Sequence, residues 1–351
     1  MSNSLFSSKT NRRYAVNGDY ILQKAAELTA ATLCTNNTSK LSFIQIKGGI
    51  TNLIYRVEST ESDNKVLVRI YGDKTDYIIN REREMAICEV LFKIGLSKNI
   101  YGCFEGGQIE EWIEGTIMSD DNVKDSIIMN GIAKTMKRLH SVPLCDKFYI
   151  KTEVEGYTSS LYKGKSFLFA KIKMLYHRVM SKSSDLKANF PEFDFGKIKL
   201  DIEVLEQICD EANSPVVLCH GDLLPANIVL TKEGIRFIDF EYSCPMERGY
   251  DIANHLMEYT GCQADWSRLP THEEESQFLS YYLDTSSTED IEILRDEIRP
   301  FYLASNLFWG LWGLFQYYYS NVDFCFGDYA KKKLRFFMCP EQRSKYGWIT
   351  S

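Results

Sequence analysis

The residues whose types and spacing could do chemistry lie in one stretch, VVLCHGDLLPANIVLTKEGIRFIDFEYS, residues 216–243. Two short apolar runs, 216–219 and 235–238, flank a polar loop that presents His220, Asp222 and Asn227, and the second run leads into Asp239 and Glu241. An Asp, an Asn five residues later and a second Asp after a hydrophobic strand form a layout suited to phosphoryl transfer. In that layout Asp222 accepts the proton of an acceptor hydroxyl, while Asn227 and Asp239 offer hard oxygen ligands for magnesium on nucleotide phosphates. Rival chemistries lack their patterns. There is no GxSxG for a Ser-His-Asp hydrolase and no HExxH-type spacing for a metal site built on His220 or His255.

The elements that must position this loop read as follows. Residues 20–34 have helical spacing, and 43–46 reads as a strand running into Lys47-Gly48-Gly49-Ile50-Thr51-Asn52. Strands resume at 53–57 and 65–71. A strand, a glycine turn and further strands, the last carrying a basic residue, follow the order of a kinase small lobe, and the glycines let backbone approach phosphate without a Cβ in the way. Arg69 on the last of these strands is either a solvated residue or the phosphate-contacting cation, since a guanidinium can fork two phosphate oxygens. Residues 76–95 read as an amphipathic helix ending at Gly95, with Glu82 or Glu84 as a partner for Arg69 and Glu84 favoured. Strands at 100–104 and 108–113 join through Gly106-Gly107. A hinge at Glu114-Gly115 follows, whose backbone would receive adenine.

A helix over 122–142 ends at His140, read as structural. Between 145 and 215 the pattern offers two helices, 166–181 and 197–213, separated by a Lys/Ser-rich turn at 181–187, and no chemistry. Asp251, before a helix over 252–259, either caps that helix or holds the backbone of the catalytic loop. In the helix over 299–318, Trp309 and Trp312 share a face, which is either core or an aromatic wall for a cationic ligand that Phe324 and Tyr329 would complete.

A length of 351 residues suggests two domains or lobes, and 44% hydrophobic content supports a large core. The net charge of −7 argues against nucleic acid or an anionic membrane as the main partner. The ten cysteines form no CxxC pair and read as reduced thiols of a cytoplasmic protein. Residues 1–20 lack the apolar run of a secretory signal and read as a disordered lead. The segment 300–322 carries no formal charge up to Val322, yet its spread of polar and Tyr residues points to a buried helix rather than a membrane span.

Taken together, the chain resembles the choline/ethanolamine kinases, a branch of the protein-kinase-like fold. The resemblance rests on Gly48-Gly49-Ile50-Thr51-Asn52, the run Val66 to Gly72, Cys219-His220-Gly221-Asp222 with Asn227, and Ile238-Asp239-Phe240-Glu241-Tyr242. It extends to Arg248-Gly249-Tyr250-Asp251-Ile252-Ala253-Asn254-His255 and to Leu303-Ala304-Ser305 leading into Phe308-Trp309-Gly310-Leu311-Trp312. It implies an α+β fold of two lobes: a β-rich nucleotide-binding lobe over 21–114 and a larger, mostly helical catalytic lobe over 115–351. It implies Asp222 as catalytic base, Asn227 and Asp239 as magnesium ligands, and Gly49, Thr51, Asn52, Arg69, Glu84, Glu111 and Ile113 on ATP. Glu241, Tyr242, Glu258, Trp309, Trp312, Phe324 and Tyr329 would line the amino-alcohol pocket, with a homodimer as the common assembly.

The chain departs from the family at Gly221, where the common loop reads His-Asn-Asp, which bears on loop stiffness. Glu258-Tyr259-Thr260-Gly261-Cys262 is closer to the ethanolamine branch, so ethanolamine is favoured as substrate, giving phosphoethanolamine for the CDP-ethanolamine route. Choline, or both alcohols, is the alternative, and a catalytically inactive nucleotide-binding scaffold the remote one.

Overall fold

The computed structural model describes residues 18–33, 37–46, 52–61, 63–72, 74–149, 153–154, 157–158 and 165–348. They form two compact units. The first takes residues up to Asp76 together with Cys88–Glu114 and Ser320–Phe324; the second takes Tyr77–Ile87, Gly115–Tyr319 and the chain from Cys325 onward.

The first unit is a five-stranded antiparallel sheet under one helix. Helix α1 (Gly18–Thr32) precedes β1 (Leu41–Ile46), β2 (Leu53–Ser59) and β3 (Lys65–Ile70); β4 (Ile100–Phe104) and β5 (Gly107–Glu111) form a hairpin, and the strand order is β1-β2-β3-β5-β4. The period of two decides which side chains enter the core. Val66, Val68 and Ile70 of β3 join Val57, Ile109 and the α1 residues Ala25 and Ala30, so Arg69 points to the opposite face, where it is nonetheless buried. There it pairs with Glu110, its diagonal neighbour on β5, at 3.0 Å. Lys98 pairs with the same carboxylate. Burial pushes the Glu110 carboxyl up, but the two cations outweigh it and hold it below its ordinary value.

Helix α2 (Arg81–Lys93) is shared between the units, its first turns belonging to the second. It begins later than the spacing suggested, after a separate 3-10 turn at Thr75–Tyr77, and Gly95 beyond it takes a left-handed φ of 72°.

The second unit is mainly helical. It runs through β6 (Thr116–Ile117), α3 (Ser126–His140), the small hairpin β7 (Glu153–Val154) and β8 (Tyr157–Thr158), α4 (Leu168–Met180), α5 (Ser183–Asn189) and α6 (Phe195–Glu211). The loop stretch follows as β9 (Val216–Cys219), β10 (Ile228–Thr231), β11 (Gly234–Phe237) and β12 (Cys244–Glu247). Then come α7 (Arg248–Met257), α8 (His272–Leu283), α9 (Thr288–Ile298), α10 (Phe301–Tyr319), α11 (Phe326–Met338) and α12 (Pro340–Lys345). The expected turn at 181–187 is instead largely the short helix α5. Asp125, Asp194, Thr271 and Ser287 accept backbone N–H groups at the starts of α3, α6, α8 and α9.

The centre of this unit is α10. Its residues Phe301 to Gln316 are all buried, because α4, α7 and α11 pack around it. That environment accounts for the uncharged run, and among the described residues no helix is long and apolar enough to cross a membrane. A Cβ on Gly310 would lie 2.7 Å from the Leu334 side chain, and one on Gly313 3.0 Å from Ala330. Helix α11 therefore approaches α10 closely at these two positions, which brings Tyr329 and Lys333 toward Trp312 and Glu258. The described cysteines are all free thiols.

Candidate active site

The loop after β9 is held by a single buried carboxylate. Asp251, in the first turn of α7, accepts from His220 N and Gly221 N, both at 2.8 Å. Of the two roles open to it, Asp251 therefore takes the backbone-holding one; the α7 N-cap position is Glu247. His140 Nε2 lies 3.0 Å from the same carboxylate and its Nδ1 2.8 Å from the Tyr282 hydroxyl, which makes His140 structural. Burial pushes the Asp251 carboxyl up, and the hydrogen bond and charge of His140, with the backbone donors, pull it net downward.

Gly221 has φ +81°, and a Cβ there would stand 2.8 Å from the Tyr242 carbonyl oxygen. The glycine thus suits both the left-handed backbone and the close passage of the two loop arms. His220 links those arms. Its Nε2–H donates to Ile238 O at 3.0 Å, and its Nδ1 accepts from Asp222 N at 3.3 Å. Burial lowers its basicity, in keeping with that neutral tautomer.

Asp222, Asn227 and Asp239 come together as their spacing suggested. Asn227 Nδ2 donates to Asp222 O at 2.8 Å and reaches Asp222 Oδ2 at 3.4 Å, so its Oδ1 is the atom that could serve as a ligand. Ile238 N donates to Asn227 O at 3.0 Å, which places the start of the Asp239 turn beside Asn227. Asp239 itself has φ 67° and ψ 66°, a left-handed backbone that a non-glycine residue adopts at an energetic cost. Partly shielded from water, Asp222 faces Glu258, Asp239 and Glu241. Desolvation and those charges push its carboxyl well above the usual range, while the Asn227 hydrogen bond pulls the other way. Crowded hard oxygens of this kind fit a magnesium ion, whose charge would relieve the repulsion.

Glu241 is buried and tied to Arg81, whose Nη1 lies 3.0 Å from Glu241 and 2.8 Å from Glu84. Arg81 was not singled out in the sequence, where it is one member of an Arg-Glu-Arg-Glu run. Desolvation would lower its basicity, yet the two carboxylates raise it further. Asn52 is buried, and its side chain accepts from Gly72 N at 3.4 Å. Glu111 accepts from Asn99 N at 3.0 Å, and Ile113 follows two residues later, half-buried. Gly49 and Thr51 lie outside the described residues.

The aromatic residues divide by what their polar atoms do. Tyr242 is buried, its hydroxyl accepting from Trp312 Nε1 at 2.7 Å and its carbonyl from Lys171 Nζ at 2.8 Å. Burial and the nearby Glu241 and Asp222 charges raise its phenol well above the ordinary value. Trp309 donates to Asn254 Oδ1 at 2.7 Å, which ties α10 to α7, and its ring stands 5.3 Å from Trp312 and 5.4 Å from Tyr242. Tyr329, half-buried on α11, meets Trp312 edge to face at 6.1 Å. Burial and the Glu258 and Asp222 charges raise its phenol well above the ordinary value, so its hydroxyl lies within their field. Phe324 belongs to the first unit. Glu258, in the 3-10 turn after α7, is buried beside Lys333, whose Nζ lies 3.6 Å away. Lys333 is a residue that sequence reasoning missed: inside the run Lys331-Lys332-Lys333 nothing marks it as buried.

A sheet-built unit and a helical unit whose loops carry this Asp, Asn and Asp define the protein-kinase-like phosphotransferases. The choline/ethanolamine kinase profile matches residues 43–338, and the chain belongs to that family. It is 31% identical to ethanolamine kinase 2 of Rattus norvegicus, over 90% of this chain and 80% of the relative. Among solved structures, an ethanolamine kinase of Plasmodium vivax is 37% identical with a TM-score of 0.85, covering 97% of this chain and 98% of its own. A choline kinase of Cryptosporidium parvum shares the fold at 24% identity and a TM-score of 0.72, over 93% and 95% of the two chains. The protein is thus a kinase, and membership of the family implies use of ATP.

Proposed function

We propose that the protein transfers the γ-phosphoryl group of ATP to ethanolamine, forming phosphoethanolamine, the first step of the CDP-ethanolamine route to phosphatidylethanolamine. The observation that carries this reading is the placing of Glu258 and Tyr329 within the field of Asp222, beside the linked rings of Tyr242 and Trp312. An ammonium held by Glu258 and the ring faces puts a hydroxyl two carbons away within reach of Asp222. Asp222 takes the hydroxyl proton as the alcohol oxygen attacks. A carboxyl of raised basicity suits that task.

Asn227 and Asp239 would hold magnesium, which when bound neutralises charge on the nucleotide phosphates. Asn52, Arg69, Glu84, Glu111 and Ile113 are the proposed nucleotide side of the site, with Gly49 and Thr51 in the turn before Asn52. Arg69 is oriented by Glu110. Arg81 is shared by Glu241 and Glu84 and ties them together. Free thiols throughout the described residues support a cytoplasmic location, and a homodimer is the assembly carried over from the resemblance.

The test is a coupled ADP-release assay with ethanolamine, choline and their methylated intermediates as competing acceptors. Ethanolamine is expected to show the highest kcat/KM. Asp222→Ala is expected to lower kcat by about a thousandfold or more while nucleotide still binds, in line with the loss of a positioned base. Preference for choline would overturn the substrate, and near-normal turnover of Asp222→Ala would overturn the role of the aspartate.

A further inference from the structure

Lys333 is fully buried on α11, and its ammonium has no hydrogen-bond partner among the described residues. Its Nζ lies 3.6 Å from Glu258 Oε1, 5.5 Å from the centre of the Tyr329 ring and 5.7 Å from that of Trp266. A carboxylate and two ring faces are what an amino-alcohol ammonium would be given, so the protein carries an ammonium of its own in a niche of that composition. An ammonium has three donors to satisfy, and a buried one left without a hydrogen bond is costly. A methionine would fill similar space without that cost. Helix packing alone therefore does not explain the residue. Its flanking lysines face outward, Lys332 to the Gln263 carbonyl and Lys331 toward Glu192.

We propose that Lys333 is a specificity-determining positioning residue that makes the acceptor site select ammonium groups bearing N–H. The inference rests on the acceptor role of Glu258 proposed above. Alone, Glu258 is a negative charge that attracts any cation, quaternary or primary. With Lys333 beside it the pair carries no net charge, and its attraction at the distance a trimethylammonium group can approach largely cancels. The remaining lone pairs of Glu258 still accept short, charge-assisted hydrogen bonds, which only an ammonium with N–H can donate. Lys333 thereby converts an electrostatic trap into a hydrogen-bond acceptor.

Two experiments test this. In the wild-type enzyme, kcat/KM across ethanolamine and its mono-, di- and trimethyl derivatives is expected to fall most at the last methylation, where the final N–H is lost. An even decline from the first methyl group would indicate size selection and overturn the proposal. In Lys333→Met the ethanolamine-to-choline ratio of kcat/KM is expected to fall by about tenfold, mainly through a lower KM for choline. Lys333→Arg, which keeps the charge, is expected to hold the ratio near the wild-type value. An unmoved ratio in a folded Lys333→Met enzyme, or an equal shift in Lys333→Arg, would overturn it. The change in ratio is defined whichever alcohol the wild type prefers. Failure of the substrate assignment is therefore read from which end of the wild-type series is preferred, and failure of this inference from the step at which the series changes most and from the variants.

Discussion

The loop between β9 and α7 and the wall made by α7, α10 and α11 are built by different means. The loop is fixed through its backbone: His220 N and Gly221 N on Asp251, Asp222 N on His220, Asp222 O on Asn227, Asn227 O on Ile238 N. The wall is fixed by side chains on helices distant in sequence, through Trp309 on Asn254, Trp312 on Tyr242 and Lys333 beside Glu258. Backbone bonding tolerates only small changes of position, as the reaction step proposed for this loop requires for every acceptor alcohol. Side-chain packing can be retuned one residue at a time, as the proposed choice between alcohols requires. Substitutions in the loop should therefore scale kcat by the same factor for all acceptors, whereas substitutions in the wall should change the ratio between them.

The largest expected effect on the loop side comes from Asp251→Asn. The amide keeps one acceptor oxygen but turns an NH2 toward a backbone N–H and loses the charge that meets His140. Breaking a buried, charge-assisted cluster of this kind costs about 3–5 kcal/mol. Urea unfolding should show that loss, and kcat should fall for ethanolamine and choline alike. A change in the acceptor ratio without a change in stability would break the distinction between the two regions.

This division also governs how much was legible in the sequence. Asp222, Asn227 and Asp239 could be read because a short loop between two strands encodes their proximity in its spacing. The succession of strands along the first unit and the position of α10 are legible for the same reason, from local pattern. The face of Arg69 was not, because Lys65 to Tyr71 is apolar on both sides and only pairing with β5 shows that Glu110 lies diagonal to it. Lys333 was invisible: three successive lysines read as a solvated run, and only the close approach of α11 at Gly310 and Gly313 turns the third inward. The sequence of α5 reads as a turn because its Ser/Asp/Lys composition is that of a loop.

A smaller effect is expected from pH, through the floor beneath the loop. His255 on α7 is fully buried; its Nδ1 lies 2.8 Å from Leu223 O, and its Nε2 meets no partner among the described residues. Burial lowers its pKa from 6.5 to about 4, against the opposing hydrogen bond that its Nδ1–H donates to Leu223 O and the Asp251 charge. Below 6.5 the unfolded chain therefore binds a proton that the native protein does not. Native stability should fall as pH drops from 6.5 toward 4, by about 3 kcal/mol for this group, and show no contribution from it above 6.5. His220 is shifted in the same direction and adds to the same acid limb. Urea midpoints measured from pH 7 to pH 4.5 should show this slope, and His255→Asn should flatten it while lowering the plateau. An unchanged slope would mean that His255 is not buried and neutral in the native protein.

The smallest expected effect isolates the backbone itself. Gly221 is left-handed, at φ +81°, with Tyr242 O only 2.8 Å from where a Cβ would be. Gly221→Ala should cost about 1–2 kcal/mol for the dihedral alone, with a further cost from moving the Tyr242 carbonyl. Gly221→Asn carries the same Cβ but tolerates the left-handed region better. The difference between the two variants thus measures the dihedral part, and what they share measures the close approach. Because the Tyr242 carbonyl is held by Lys171 and its hydroxyl by Trp312, a shift there would also reach the wall. If the loop and wall are separable, both variants lower kcat equally for all acceptors. If Tyr242 transmits the displacement, the ethanolamine-to-choline ratio moves in both variants, and Tyr242 becomes the residue through which the reaction loop and the acceptor wall are coupled.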